Sequence, residues 1–214
     1  RAVVLKTIPF SDTSLICRIF TKEKGKISIM AKGARRKKNL LSSVLECGNI
    51  IRLQYIFKEN RDIQILKEAS LDYSIILIRK DLEKLLTLFS FIEILDKTTH
   101  PLSEAPILFR LISKSIKVLA VKNLNNKILY NFYLLHLAIQ NGFKPNITNC
   151  SKCNISFGNK VVLINGQLFC QNCDNFNSKL IHNNSLLFIK KLMNKNINKI
   201  NNLNVNDINL NSIS

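Results

Sequence analysis

The stretch Gly25-Lys-Ile-Ser-Ile-Met-Ala-Lys-Gly-Ala-Arg-Arg-Lys-Lys38 combines two features that decide the predicted fold. In its first half, Ile27, Ile29 and Ala31 occupy alternate positions, and this period of two is typical of a β-strand with one buried face. In its second half, five of the seven residues from Lys32 to Lys38 are cationic. We therefore predict a strand that leads directly into a positively charged loop.

Four further strand-like segments surround this one within residues 1–78. Apolar, β-rich residues fill Ala2–Ile8 and Leu15–Phe20, and alternation recurs in Asn49–Phe57 and Asp62–Ala69. Five short strands in so short a segment predict a small closed barrel, and the five-stranded OB-fold is the main prediction because it is common among nucleic-acid binders. An SH3-like barrel would show the same periodicity, so the pattern does not separate the two folds.

After residue 78 the apolar residues change to the period of a helix. Helices are predicted around 82–92, 107–119, 129–139 and 185–194. The buried stripe predicted for the first of them consists of Leu82, Leu85, Leu86, Phe89 and Ile92. An Asn-rich tail occupies residues 194–214, with nine Asn among 21 residues.

Four cysteines form the most specific motif of the chain. Cys150 and Cys153 make one C-x2-C pair, and Cys170 and Cys173 make a second pair after sixteen residues. Two such pairs supply four thiolates in the tetrahedral arrangement that suits a structural Zn²⁺ ion with no open position. A redox dithiol or two unrelated pairs are the alternatives. Asn165-Gly166 predicts the turn of a hairpin between the pairs.

These patterns predict a multidomain α+β protein with three parts. Residues 1–78 form the OB-fold nucleic-acid-binding domain. Residues 79–149 and 177–214 form an α-helical domain. Residues 150–176 form the four-cysteine zinc module, which is inserted in the helical domain.

The charge of the chain predicts an anionic partner. It has 32 Lys and Arg against 14 Asp and Glu, a formal net charge of +18, and such an excess favours nucleic acid. Arg side chains bridge phosphate oxygens in pairs of hydrogen bonds, so the cationic loop is the predicted nucleic-acid-binding site, which the resemblance described below assigns to DNA. Its members are Lys32, Arg35, Arg36, Lys37 and Lys38. A solvated loop that only keeps the protein soluble is the alternative.

A second basic group lies at helical spacing. Arg110, Lys114 and Lys117 fall at i, i+4 and i+7 beside an apolar stripe, so they would share one helix face. Such a face would suit an acidic peptide that also carries hydrophobic residues. An ordinary amphipathic helix has the same pattern.

Several classes of protein are disfavoured. The longest segment without a charged side chain, residues 128–143, is too short and too polar to cross a bilayer. No secretory signal pattern is found, so a cytoplasmic protein is predicted. Cys17 and Cys47 have no partner by spacing and are predicted to be buried, unreactive thiols. No nucleophile elbow, P-loop or paired carboxylates occur, so no enzyme is predicted.

With these residues identified, the chain resembles the bacterial RecO family of recombination mediators. The similarity is carried by Thr13–Thr21 and Gly25–Arg36, and the Ala-Lys-Gly-Ala-Arg block at Ala31–Arg35 is its most specific part. Leu137–Cys150, with Gly142-Phe143 and Pro145, is similar to the family's entry into its zinc module. The segment from Asn165-Gly166 to Cys170 is similar to its approach to the second pair.

This resemblance implies a DNA-repair and recombination function without catalysis. RecO-like proteins bind single- and double-stranded DNA and anneal complementary strands. They engage the acidic C-terminal tail of single-strand-binding protein (SSB), and with RecR they assist RecA in replacing SSB. The basic face of Arg110, Lys114 and Lys117 is then the candidate for the SSB tail. An RNA-binding OB/zinc protein associated with the ribosome or with tRNA processing is the alternative.

Overall fold

The computed structural model describes residues 1–103, 105–121, 125–158, 160–173 and 180–197. The chain divides into two compact units, Arg1–Tyr133 and Leu134–Ser214, and each is described here by itself. The three-part division predicted from the sequence remains a prediction. Most of the Asn-rich tail lies outside the described residues.

Five strands of the first unit form a closed barrel. They are β1 (Ala2–Phe10), β2 (Ser14–Thr21), β3 (Gly25–Ala31), β4 (Ile50–Ile56) and β5 (Ile63–Tyr73). All five were predicted from the sequence. A four-residue helix, α1 (Leu41–Val44), lies between β3 and β4.

The order of the strands identifies the barrel as an OB-fold. Hydrogen-bonded neighbours follow the order β1-β2-β3-β5-β4, and β4 closes the barrel on β1. Every pair is antiparallel except β3 and β5, which run parallel. This five-stranded closure confirms the OB-fold over the SH3-like alternative.

The barrel interior is filled by the alternating residues that the sequence indicates. Ile27, Ile29 and Ala31 of β3 are all buried. Phe20 is also fully buried, so it is a core residue and offers no exposed ring. Complete burial of one such aliphatic or aromatic side chain contributes about 1.5–3 kcal/mol to stability.

Three helices follow the barrel. They are α2 (Leu82–Thr98), α3 (Pro106–Leu119) and α4 (Asn126–Gln140). Asp81 is the N-cap residue of α2, and its carboxylate accepts a hydrogen bond from the backbone N–H of Lys84.

The buried face of α2 differs from the stripe predicted by spacing. Its buried residues are Leu88, Phe91, Ile92 and Leu95, whereas Leu82, Leu86 and Phe89 of the predicted stripe are exposed. Both sets follow the same i, i+3, i+4, i+7 spacing, so periodicity alone does not choose between them. A tertiary contact determines which set is buried. Leu88 packs closely against Gly48, which has a positive φ of 93°.

One carboxylate joins the barrel to α2. Asp96 forms ion pairs with Arg18 of β2 at 2.8 Å and with Lys26 of β3 at 3.3 Å. The chain after α2 then runs along β3, where the backbone N–H of Leu102 donates to the carbonyl oxygen of Lys26. Gly25 permits this approach, since a Cβ atom there would lie 2.1 Å from the carbonyl oxygen of Ser103.

The second unit contains a three-stranded antiparallel sheet and a helix. Strand β6 (Lys160–Ile164) lies between β7 (Gln167–Cys170) and β8 (Leu180–His182), and α5 spans Asn183–Asn194. Its small core consists of Val161, Leu168 and Leu186, with Ile147, Phe157 and Ile181 packed against it. Within the described ranges, no helix combines the length and the apolar character that crossing a membrane requires.

An ion pair near the end of the barrel generates a pH-dependent prediction. The Arg52 guanidinium donates to Asp72 at 2.8 Å, and this hydrogen bond holds the pKa of Asp72 below its usual value, with Arg1 and Lys117 adding to the effect. The charge of Asp72 is therefore favoured in the folded state.

Replacing Asp72 by Asn should lower the free energy of unfolding at neutral pH by up to about 1 kcal/mol, because Arg52 is solvent-exposed. The folded pKa is depressed, so this contribution is complete above the unfolded pKa of about 3.9 and is lost as the pH falls through the folded value. Urea denaturation of both proteins at neutral pH and below the folded pKa measures the difference. An equal difference at both pH values would contradict the prediction.

Candidate metal centre and nucleic-acid interface

The first cysteine pair lies on a tight turn. The backbone N–H of Cys150 donates to Ile155 at 2.9 Å, and that of Asn154 donates back to the Cys150 carbonyl at 3.0 Å. Asn154 has a φ of 57°, a conformation that Asn tolerates better than most residues. This turn places Cys150 and Cys153 on the same side of the backbone loop.

The second pair is positioned by the β6–β7 hairpin. Asn165 and Gly166 both have positive φ values, as a two-residue type I′ turn requires. Cys170 ends β7, and Cys173 ends the 3-10 turn that follows. The backbone N–H of Ser151 donates to Leu168 at 2.9 Å, and this bond ties the first turn to the hairpin.

The four sulfur atoms converge in space. All four lie within 4.8 Å of one another, and the Sγ atoms of Cys153 and Cys170 are 3.7 Å apart. A tetrahedron with metal–sulfur bonds of about 2.3 Å has edges of about 3.8 Å. The four thiols therefore fit a metal ion in both number and spacing.

The thiols of this cluster differ in acidity. Burial acts to raise the pKa of Cys150, but hydrogen bonds from the backbone N–H groups of Cys153, Cys170 and Lys152 outweigh it and lower the pKa to about 6. The pKa of Cys173 is raised to about 12, chiefly by its hydrogen bond with Cys170. One thiolate forms readily, and a divalent cation would favour ionisation of the others.

The cationic loop is held by backbone bonds and leaves its charges in solvent. Lys32, Arg35, Arg36, Lys37 and Lys38 are all exposed, whereas Ala34 between them is completely buried. The backbone N–H of Arg35 donates to Thr13 at 2.8 Å, so the loop is fastened to the β1–β2 turn. Because the loop backbone is already fixed at this point, binding to this loop would not have to order it, which reduces the entropy cost.

Asn39 closes this loop. Its side-chain amide donates to the carbonyl oxygen of Gly33 at 3.0 Å, and its Oδ1 atom accepts from the backbone N–H of Leu41 at 2.9 Å. Gly33 itself has a φ of 68°, which favours glycine. The five cations are therefore presented by a loop with a defined path.

Two other cations on the barrel, Arg18 and Lys26, are neutralised by an ion pair. OB-folds commonly bind oligonucleotides on the face of β2 and β3 and on the β1–β2 and β4–β5 loops. Arg18 and Lys26 lie on that face, but both pair with Asp96. A cavity of about 370 Å³ remains there, with Arg61 and Asp62 in its lining, so its charge is mixed.

The three cations of the predicted basic helix face are exposed to solvent. Arg110, Lys114 and Lys117 lie on α3 and are exposed, while Leu108, Ile112 and Ile116 of the same helix are buried. The Nζ atom of Lys117 is 5.6 Å from the centre of the Tyr73 ring. The apolar stripe beside these cations therefore belongs mainly to the core.

Both remaining cysteines were predicted to be buried, and the structure has Cys17 buried but Cys47 only half-buried. Cys17 is buried in the barrel core, and burial raises its pKa. Burial also raises the pKa of Cys47 to about 11, and its thiol donates to the carbonyl oxygen of Leu5. Neither thiol has the lowered pKa of a reactive cysteine.

Two exposed apolar side chains near the cationic loop were not predicted from the sequence. Phe10 ends β1 and is 46% exposed, and Leu40 lies just after the loop and is 79% exposed. In the sequence, each of them is a large apolar residue next to a turn or loop, and this feature could have identified both as exposed. They give the interface an apolar part as well as a charged one.

Comparison with known proteins identifies the family of the chain. The chain matches the family model described as Recombination protein O N terminal over residues 1–74, and Recombination protein O C terminal over residues 79–214. It is 36% identical over 150 residues to a protein of Prosthecochloris aestuarii named DNA repair protein RecO, covering 70% of this chain and 57% of that protein. It is 37% identical over 150 residues to the protein of that name from Pelodictyon phaeoclathratiforme, covering 70% and 58%. The chain thus spans less than two thirds of the length of these relatives, and by both family matches it belongs to the RecO family.

Proposed function

We propose that this chain is a mediator of DNA repair and homologous recombination that binds DNA, anneals complementary single strands and assists RecA loading onto SSB-coated strands. The observation that carries the proposal is the exposed cationic loop at residues 32–38, fixed to an OB barrel in a member of the RecO family. Its partners are single- and double-stranded DNA, the acidic tail of SSB, and RecR. It acts in the cytoplasm, at the nucleoid.

Annealing requires cations that reduce the repulsion between two phosphate backbones. Arg35 and Arg36 supply such charges at one fixed place, and the net charge of +18 supplies a wider field. Binding through phosphates is independent of sequence and weakens with salt, so strands held this way can still exchange. No covalent bond changes in this process, and we propose no catalytic residue.

Two further assignments complete the proposal. The exposed cations Arg110, Lys114 and Lys117 of α3 would attract the acidic tail of SSB, with exposed apolar residues nearby in the chain, such as Ile107, available to it. The metal of the four-cysteine site is proposed to be one structural Zn²⁺ ion, because four thiolates leave no open position for a substrate. Cys150, Cys153, Cys170 and Cys173 would hold it.

The direct test is strand annealing on SSB-coated DNA. Two complementary end-labelled oligonucleotides are coated with the cognate SSB, and energy transfer between the labels is followed after the full chain is added without ATP. We expect annealing to accelerate in proportion to the protein added. No acceleration by folded, metal-loaded protein would contradict the mediator function, and tighter binding to structured RNA than to single-stranded DNA would favour the RNA-binding alternative.

The cationic loop can be tested by removing two charges. Arg35→Ala with Arg36→Ala should weaken DNA binding regardless of sequence and reduce the slope of log affinity against log salt by about 1.4 for single strands, or 0.7 per lost phosphate contact. Fluorescence anisotropy over a salt series measures both quantities. Lys190→Ala with Lys191→Ala, which removes two exposed cations from α5, is the matched control. An unchanged slope in the loop variant would show that the loop is only a solvated surface.

The metal site can be tested through one ligand. Cys170→Ser should release zinc and lower the melting temperature, because a structural zinc site contributes on the order of 10 kcal/mol to folding of a small module. Metal content is measured by elemental analysis of purified protein, and unfolding by circular dichroism. Cys47→Ser, which changes a thiol outside the cluster, should retain the metal. A Cys170→Ser protein that is metal-free and equally stable would refute the structural role.

A further inference from the structure

Helix α2 is apolar on two opposite faces. Its buried residues are Leu88, Phe91, Ile92 and Leu95. On the opposite side, Leu82, Leu86 and Phe89 are 72%, 58% and 43% exposed, and these three residues are called the outer stripe of α2. A surface helix normally has one apolar face and one polar face, whereas a helix that is apolar all round is normally covered all round. The outer stripe therefore has the composition of a covered surface.

The outer stripe is continuous along the helix. Its residues fall at i, i+4 and i+7, so at 3.6 residues per turn they lie within about 60° of one another around the helix axis and extend over about 10 Å. Single exposed apolar residues are common on protein surfaces. Three large ones in a row on one helix face indicate a site of interaction.

The charge around the outer stripe is balanced, unlike that of the chain. Residues 79–93 have a formal net charge of zero, whereas the whole chain carries +18. The segment contains three basic and three acidic residues, namely Arg79, Lys80 and Lys84, and Asp81, Glu83 and Glu93. A nucleic acid is therefore not attracted to this segment. Two strongly positive copies of the chain can approach there with less repulsion than through a basic surface.

The two ends of the outer stripe carry opposite charges. Arg79 and Lys80 are exposed just before the helix begins. Glu93 is exposed one turn after Phe89, on the same side of the helix as the stripe, and forms an exposed ion pair with Lys97 at 2.7 Å. If two copies of α2 pack antiparallel about a two-fold axis, the basic end of each stripe faces the acidic end of the other.

Two acidic residues near the basic end do not belong to the outer stripe. The Asp81 carboxylate caps its own helix by accepting from the backbone N–H of Lys84 at 3.1 Å. Glu83 lies about 100° from its neighbour in the stripe around the helix axis. Arg79 pairs with Glu46 at 2.9 Å, which makes Lys80 the cation to exchange in a test.

We propose that the outer stripe of α2 is a contact between two copies of this chain, with the two helices antiparallel about an axis at Leu86. In such a pair Leu86 meets its own counterpart, and Leu82 of each copy lies beside Phe89 of the other. Residues 79 and 93 are each seven positions from Leu86, so they lie opposite each other. A different protein would have to supply an apolar stripe with the same two charges in reverse order, and a second copy supplies both from the same sequence.

This contact goes beyond the proposed function. A pair of copies carries two cationic loops, one for each strand of an annealing pair, and this consequence rests on the proposed function. The contact itself does not, because it is tested without DNA. Failure of the annealing assay would remove the consequence and leave the contact untouched.

Sedimentation equilibrium of the full chain over a concentration series measures the contact directly. We expect a monomer–dimer equilibrium at about micromolar concentration, the weak end of the range for protein interfaces. Leu86→Glu places two carboxylates face to face at the axis. It should weaken dimerisation by about a hundredfold or more, because like charges across an interface strongly oppose association.

A matched variant separates this contact from general stickiness. Leu187 lies on α5 and is 49% exposed, so Leu187→Glu introduces the same charge at a similarly exposed leucine. It should leave the dimerisation constant unchanged. Equal melting temperatures of both variants and the original chain establish that the exposed leucines do not affect folding.

Charge reversal tests the antiparallel arrangement. Lys80→Glu and Glu93→Lys, made separately, should each weaken dimerisation because each places like charges together across the axis. The two changes made together reverse both ends and should restore most of the lost affinity. A merely structural role of either residue would not produce this recovery.

Three outcomes would overturn the proposal. They are a chain that stays monomeric throughout the concentration series, a dimer that persists in Leu86→Glu, and a dimer that Leu187→Glu weakens equally. Failure of the double reversal to recover affinity would overturn the antiparallel pairing. Dimerisation that is lost in Leu86→Glu, kept in Leu187→Glu and recovered by the double reversal supports it.

Discussion

The parallel pairing of β3 with β5 closes the barrel, and the position of the candidate nucleic-acid interface depends on it. Parallel strands cannot be joined by a tight turn, so the chain leaves Ala31, passes through α1 and β4, and only then enters β5. The cationic loop is the first part of this crossover. The hydrogen bond from the Arg35 backbone N–H to the Thr13 carbonyl oxygen fastens the backbone of the loop beside the β1–β2 turn.

Asp96 reduces the positive charge on one part of the outer face of the barrel. By pairing with Arg18 and Lys26 it neutralises two cations on the surface that OB-folds commonly use for oligonucleotides. The segment after α2 then covers the adjacent part of β3, where Gly25 leaves space for the backbone of Ser103. The same contact that attaches α2 thus neutralises two cations of this face and leaves the cationic loop at residues 32–38 exposed.

The second unit has a much smaller core than the first, and the four-cysteine cluster is proposed to compensate for it by binding a metal. The sheet of β6, β7 and β8 buries few large side chains, chiefly Val161, Leu168 and Leu186, and so small a core supplies little stability. Four sulfurs within 4.8 Å allow a metal to fix both turns at once. The metal site is therefore expected to hold the architecture of this unit and to act on DNA binding only through folding.

Local sequence patterns predicted most of the secondary structure and two of the candidate sites. Alternation predicted the five barrel strands, helical periodicity predicted the longer helices, and the Asn-Gly pair predicted the turn at Asn165-Gly166. Cysteine spacing predicted the four sulfurs that converge in space, and clustered charge predicted the exposed loop at residues 32–38. Each of these is a property of neighbours along the chain, which a single sequence contains in full.

Contacts between segments far apart in the sequence decided the features that local patterns left open. The strand order that distinguishes an OB-fold from an SH3-like barrel, the choice of Leu88 over Leu86 as a buried residue of α2, and the neutralisation of Lys26 by Asp96 all join residues far apart in sequence. Periodicity shows that a strand or helix has two faces, but only tertiary contacts determine what each face meets.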